Sequence, residues 1–223
     1  MRKFLAAVVA VPLAVSADGP CQTSSGVPCF TLTYQHSIWA FVKSPVRNMV
    51  ATELTGTMSV RADGSTLHRV QPVSRYAVRG ASEPLVPHTR LFLTNSAAHL
   101  LLGGPAVPAD SRLPVLFFAE AAYRRSAASG DEACRAVVAS FAKSLEQTGK
   151  GRFLDEPVVT WKFKLGYGDG TASLAPGLDC QILRIEAGEY RYGYLPVRRE
   201  LFEAKSLKRG EPAASLFDAP KGK

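Results

Sequence analysis

The residues able to do chemistry in this 223-residue chain are few and far apart. Its histidines, His36, His68, His88 and His99, fall in no HxH or HExxH spacing, so they outline no metal cage and no metalloprotease helix. Single histidines on or beside strand-like stretches are read as surface or hydrogen-bonded groups. No GxSxG elbow and no phosphate-binding loop occurs, and Gly103-Gly104 runs into Pro105 without the Lys-Ser/Thr that would hold a phosphate. Ser140-Phe141-Ala142-Lys143 matches the serine–lysine spacing of penicillin-binding enzymes, but it sits mid-helix and no Ser-Asp-Asn or Lys-Thr-Gly partner follows, so it is read as a chance match. Carboxylates are scattered. Asp131-Glu132 suits a helix start and Asp155-Glu156 a turn before Pro157; a glycosidase would need two carboxylates converging across a cleft. Gly166 to Gly170 holds one Asp, too little charge for calcium. The reading is no catalytic residue, no metal and no cofactor.

The chain opens MRKFLAAVVAVPLAVSA: two basic residues, an apolar run from Phe4 to Val15, and small residues at Val15-Ser16-Ala17. That is the pattern of a cleavable secretory signal over residues 1–17, with a run too short to span a bilayer as a helix. No other stretch reaches membrane-spanning length, so the mature chain is expected without a transmembrane segment. An exported protein sits in a periplasmic or secreted, oxidising setting, where Cys21, Cys29, Cys134 and Cys180 would form two disulfides. Four cysteines allow three pairings; Cys21–Cys29 and Cys134–Cys180 are preferred. The formal charge of +8, two units of which leave with Arg2 and Lys3, is spread along the chain, with clusters at Arg124-Arg125, Arg198-Arg199 and Lys205 to Arg209. A modest basic excess could favour anionic envelope components. Nucleic acid is not expected, because no binding motif accompanies the charge.

These groups must be positioned mostly by strands. Residues 18–29 read as a disulfide-bearing entry loop. Phe30 to Tyr34 and Leu54 to Ala62 alternate apolar and polar residues, and Asp63-Gly64 suits a type I′ hairpin turn leading back through Thr66 to Tyr76. Arg90–Thr94 and Ala97–Leu102 form a second hairpin around Asn95-Ser96. A Gly/Pro-rich connector from Gly103 to Pro114 then leads to apolar Val115 to Phe118. Ser129 to Glu132 fits a capping box, and Cys134, Val137, Val138, Phe141 and Leu145 recur at helical spacing, so a helix is expected over 131–148 with Gly149 ending it. Beyond it Val159, Trp161, Phe163 and Leu165 share a strand face. Leu178, Cys180 and Ile182 share another, and Tyr190, Tyr192 and Tyr194 a third. If the helix packs on this sheet, Cys134 and Cys180 point into one interface, which motivates their pairing. The expected fold class is α+β: one domain over 30–218 built on a strongly curved antiparallel sheet, half-barrel or sandwich-like, covered by one principal amphipathic helix, with a frayed tail at 219–223.

Pro176 to Leu183, a following basic strand, Ser206 to Pro212 and Ala214 to Phe217 together resemble the ending of exported proteins common in Acidobacteria-type bacteria. More distantly they resemble periplasmic lipoprotein-carrier-like proteins. That resemblance implies a half-barrel sheet that holds acyl chains against helices. It covers the C-terminal part only and transfers no functional residue.

Three functions stay open. The first is a non-catalytic exported protein binding a lipid-like, apolar or amphipathic ligand in the concave face of its sheet, with Val138, Phe141, Trp161 and Phe163 as candidate lining residues. The second is a cell-envelope structural or interaction protein with a basic surface. The third is a hydrolase whose catalytic groups meet only in the folded chain.

Overall fold

The computed structural model describes residues 28–41, 49–77, 90–94, 99–102, 130–166, 168–191 and 195–217. Strands β1 (Phe30–Phe41), β2 (Met49–Val60), β3 (Thr66–Ala77), β4 (Arg90–Thr94) and β5 (His99–Leu102) come first. Helix α1 (Gly130–Ala139) precedes β6 (Ser144–Phe153), β7 (Glu156–Lys164), β8 (Gly168–Ala175), β9 (Gln181–Arg191) and β10 (Leu195–Arg209). Short 3-10 turns stand at Pro176–Leu178 and Ala214–Phe217. The ten strands form one antiparallel sheet in the order β5-β4-β3-β2-β1-β10-β9-β8-β7-β6. Neighbours follow the chain everywhere except at the centre, where β1 pairs with β10. Strands β5 and β6 stand at opposite edges, so the sheet curls without closing.

Alternation explains most of these strands. Phe30, Leu32, Tyr34 and Ile38 of β1 are buried on one face, as are Val159, Trp161 and Phe163 of β7, while Lys162 and Lys164 are exposed. Strand β1 runs seven residues past the expected Tyr34, because polar His36 takes a core-facing place and hides the pattern. Register shifts in the β1–β10, β2–β3, β9–β10, β6–β7 and β8–β9 pairs add local twist and bend. The curl brings distant strands together. Arg209 at the end of β10 donates from Nε and Nη2 to the two carboxylate oxygens of Glu156 at the start of β7, at 2.6 and 2.5 Å, although β9 and β8 lie between them in the sheet. At the same end Arg61 pairs with Glu211 at 3.1 Å and lies 5.6 Å over the Phe217 ring.

Three turns differ from expectation. The link from β2 to β3 is not a two-residue type I′ turn: Gly64 N–H bonds the Arg61 carbonyl, and of the Asp63-Gly64 pair only Gly64 has positive φ, at +83°. Ser65 N–H bonds the Asp63 carboxylate and holds that carboxyl below its usual range. A pair of left-handed residues occurs instead at Leu154-Asp155, with φ of 49° and 61°, where Phe153 and Glu156 close the two-residue hairpin from β6 to β7. Glu156 is therefore a buried strand residue and not part of a turn. Leu178 and Cys180 lie in a 3-10 turn and the bend after it, and only Ile182 of that trio is in β9.

The helix is also shorter than 131–148. It ends at Ala139, where Ser140 Oγ donates to the Val137 carbonyl at 2.7 Å, and Gly149 lies within β6. Thr148, Gly149 and Gly151 disfavour helix, and residues 144–153 gain a full ladder by pairing with β7. Helix α1 packs on β7, β6, β8 and the Pro176 turn. Cys134 and Cys180 are disulfide-bonded, with their Cα atoms 4.9 Å apart across a separation of 46. Cys29 is also disulfide-bonded; Cys21 lies outside the described residues, as do residues 1–17, Gly103 to Phe118, Arg124-Arg125 and the tail.

The bond closes a long loop, so the Cys134→Ala/Cys180→Ala double variant should lose about 4 kcal/mol of unfolding free energy in a urea titration. Arg209→Ala leaves a buried carboxylate without its fork and should cost about 2 kcal/mol in the same assay. Lys150→Ala removes only an exposed pair with Asp131 and should change stability by less than about 0.5 kcal/mol.

Candidate functional site

The concave face carries a row of buried side chains running straight across six strands. Leu54 of β2 stands opposite His36 of β1, His36 opposite Phe202 of β10, Phe202 opposite Ile185 of β9, Ile185 opposite Ala172 of β8, and Ala172 opposite Trp161 of β7. The β7 side of this row is apolar and lies near α1. Val138, Phe141, Trp161 and Phe163, the residues proposed from sequence to line a ligand site, meet here, with the Phe141 and Phe163 rings edge to face at 5.4 Å. Val138, Trp161 and Phe163 are buried in the common core, and Phe141 packs on it half-buried. The indole Nε1 of Trp161 is buried and has no hydrogen-bond acceptor among the described residues.

The β1–β10 side of the row is polar. Strand period 2 places Arg198 and Glu200 on the same face as Phe202 and Ala204, and His36 on the same face as Tyr34 and Ile38. Arg198 is 8% exposed, Glu200 2% and His36 0%. Arg198 Nε donates to Glu200 Oε1 at 2.8 Å, and His36 Nε2 lies 3.3 Å from Glu200 Oε2. One carboxylate thus bridges a guanidinium and an imidazole. Each of the two keeps a further buried nitrogen, Arg198 Nη2 and His36 Nδ1, with no hydrogen-bond partner among the described residues. Buried nitrogens of this kind cost roughly 1–3 kcal/mol each when unsatisfied.

Beside this triad the Tyr34 ring stacks on Phe202 at 4.7 Å, and its hydroxyl reaches across β2 to His68 Nε2 on β3, 2.5 Å away. The reach depends on Gly56. A Cβ there would lie 2.1 Å from Tyr34 Cζ, so only glycine lets the ring cross the strand. Burial raises the Tyr34 pKa well above the usual phenol range, which keeps the hydroxyl protonated. With that proton in place, a His68 carrying its own on Nδ1 accepts the bond at Nε2. Among the described residues no three His, Cys, Asp or Glu side chains are grouped to hold a metal ion. The cluster of Tyr34, His36, His68, Arg198 and Glu200 was not read from sequence as a site. Its available signals were polar residues at core-facing parity in β1 and β10, and a glycine inside β2.

The convex face differs. A groove of about 400 Å³ there is lined by Lys162, Asp169, Thr171, Glu186, Tyr190 and Arg199, and Gly170, Ala187, Gly188 and Arg198 also border it. Tyr190 is exposed; Tyr192 and Tyr194 lie outside the described residues. Arg199 donates twice to Glu186 Oε1 and lies 5.4 Å over the Trp39 ring, while Lys205 pairs with Glu203.

No protein-family model matches this chain, and no curated protein is significantly similar to it in sequence. Solved structures of similar shape include MucB in complex with MucA(peri), at 15% identity and a TM-score of 0.41, covering 86% of this chain and 54% of that one. This chain thus spans about half the length of that MucB chain. LprF from Mycobacterium bovis follows at 9% identity and a TM-score of 0.39, covering 89% and 92%. A LolA superfamily protein from Nitrosomonas europaea stands at 7% identity and a TM-score of 0.26, covering 89% and 93%. Identities and scores this low transfer no function to the chain. No helix among the described residues is long and apolar enough to cross a membrane.

Two outcomes follow from the Tyr34 geometry. Gly56→Ala should displace the ring, break the bond to His68 and cost about 2 kcal/mol or more by urea unfolding. The folded phenol titrates above the unfolded one, so its contribution is complete below about pH 10 and is lost as pH rises beyond it. The stability difference between the wild type and Tyr34→Phe should therefore be flat up to pH 9. Above pH 10 it should move against the wild type by at most about 1.4 kcal/mol per pH unit.

Proposed function

We propose that the protein is an exported, non-catalytic binding protein that holds an apolar or amphipathic ligand on the concave face of its sheet. One observation carries this reading: the concave row passes without a break from apolar side chains at Trp161, Ala172 and Ile185 to a buried polar cluster at His36, Arg198 and Glu200. An amphiphile has the same two-part character. Helix α1 is suited to act as its roof. It buries only Ala133, Cys134 and Val138, and its bond to Cys180 would keep it tethered if a ligand replaced the contact of Phe141 with Phe163. Each methylene group of a ligand that replaces those contacts contributes roughly 0.8 kcal/mol.

The reading as a basic envelope-docking protein has less to draw on. Within its sequence clusters Arg198, Arg199, Lys205 and Arg209 are each paired with a glutamate of the fold. The exported setting accords with the signal-like start and with the Cys134–Cys180 bond.

The chain has two tryptophans, so Trp39→Phe leaves Trp161 as the only indole reporter. Titrating this variant with 1-dodecanol should give a saturable change in emission at about one ligand per chain, and Val138→Asp should weaken it at least tenfold. An unchanged spectrum, together with no dodecanol adduct in native mass spectrometry, would overturn the proposal.

A further inference from the structure

The geometry points to a second binding site in the convex groove: we infer that it takes a short stretch of a neutral glycan. Tyr190 meets the C–H face of one sugar ring, while Lys162, Asp169 and Thr171 meet its hydroxyls. The site lies on the opposite face of the sheet from the one proposed above and does not depend on it.

The groove begins with a missing side chain. Asp169 of β8, Gly188 of β9, Arg199 of β10 and Trp39 of β1 stand in one cross-strand row. Gly188 leaves a gap between Asp169 and Arg199, whose backbones are two strand spacings, about 9.6 Å, apart. Tyr190, two residues along β9 and on the same face, leans over this gap. A Cβ at Gly188 would lie 2.8 Å from its hydroxyl oxygen and 3.0 Å from its Cζ. The Tyr190 side chain is 42% exposed and borders the groove. The next row supplies Lys162, Thr171 and Glu186 from β7, β8 and β9. A volume of about 400 Å³ falls within the range of roughly 300–1,000 Å³ that small-ligand sites occupy.

The backbone, the charges and the free polar groups together select the ligand. Strands β7 to β10 each have a neighbour on both sides, so their N–H and C=O groups are committed to ladders. A peptide strand has no edge to join here, and recognition is left to side chains. Charges of both signs alternate through the groove and its rim. Lys162 and Arg199 stand with Asp169 and Glu186, Glu146 is opposite Lys162, Lys164 is opposite Asp169, and Arg184 is beside Glu186. Neither an anion nor a cation meets a field of one sign. Arg199 is fixed by its two bonds to Glu186 and its place over Trp39. The side chains of Lys162, Asp169 and Thr171 have no hydrogen-bond or ion-pair partner among the described residues. An ammonium only donates, a carboxylate only accepts, and a hydroxyl does both. Adjacent sugar hydroxyls, each a donor and an acceptor, satisfy all three at once. Such bonds replace bonds to water and gain little net, so the aromatic contact matters: the negative face of a phenol ring attracts the weakly positive C–H face of a pyranose.

The test is saturation-transfer NMR of the purified protein with cellotetraose, maltotetraose, mannotetraose and chitotetraose. Trigalacturonate and tetra-alanine serve as the anionic and peptide probes. At least one neutral sugar should bind saturably and in preference to both, with an affinity that stays level as salt is raised. Tyr190→Ala should weaken that binding about three- to tenfold. Asp169→Ala and Lys162→Ala should each weaken it at least threefold. Gly188→Ala meets only the far end of the Tyr190 side chain, so the fold should survive while the ring shifts and binding weakens likewise. Lys150→Ala, outside the groove, should leave binding unchanged. Absence of saturable binding by all four sugars overturns the site. So does a preference for trigalacturonate or tetra-alanine, or sugar binding that is unchanged in both Tyr190→Ala and Asp169→Ala. The wild-type preference among the six probes decides the ligand class even if a variant does not fold.

Discussion

The pairing of β1 with β10 is the constraint on which the rest of the structure depends. It joins the first described strand to the last long one at the centre of the sheet, with Phe30 opposite Arg209 and Ala40 opposite Arg198. All other pairings link strands that follow each other in the chain. Without the central ladder the molecule would fall into two meanders, β1 to β5 and β6 to β10, each with a long unpaired edge. With it, the edges move to β5 and β6, and β6 carries an exposed, charge-bearing face. The same ladder sets His36 beside Glu200 and Phe202, so the fold and the polar cluster have one origin.

The two halves of the concave face stabilise the molecule differently. Near α1 the contacts are apolar, and the disulfide fixes the helix to the bend before β9. Around β1 and β10 the face buries an ion pair, an imidazole and a phenol–imidazole bond. Burying such groups gains little net stability over well-packed apolar side chains, while removing one partner costs much more. A concave face that served packing alone would be more stable with Leu or Phe at these positions. Their polarity, and the nitrogens without partners among the described residues, set this half of the face apart from the half under α1.

The convex face meets solvent with charges that answer one another. Arg199 bridges Glu186 and the Trp39 ring, and Arg184 stands between Glu186 and Glu203. Charges paired within a sheet face present a weaker field than the same charges would unpaired. The contrast between faces follows from strand parity, which leaves Arg199 exposed while its neighbour Arg198 is buried against Glu200.

What the sequence determined by itself was local. Alternation marked β7 and most of β2, and apolar spacing marked the start of α1. The shared direction of Cys134 and Cys180 anticipated their bond. The end of α1 was beyond it, because Leu145 continues the helical spacing while the ladder with β7 claims residues 144–153. So was the left-handed pair at Leu154-Asp155, where aspartate tolerates that conformation but leucine does not favour it, and the turn is imposed by the strands on either side. Only the tertiary structure assembled His36 with Glu200, 164 residues apart, Tyr34 with His68, and Arg209 with Glu156. Periodicity reports which face a residue takes, a property of a few neighbours; which faces meet is decided by register and curl, and those depend on strands that the chain brings together only when it folds.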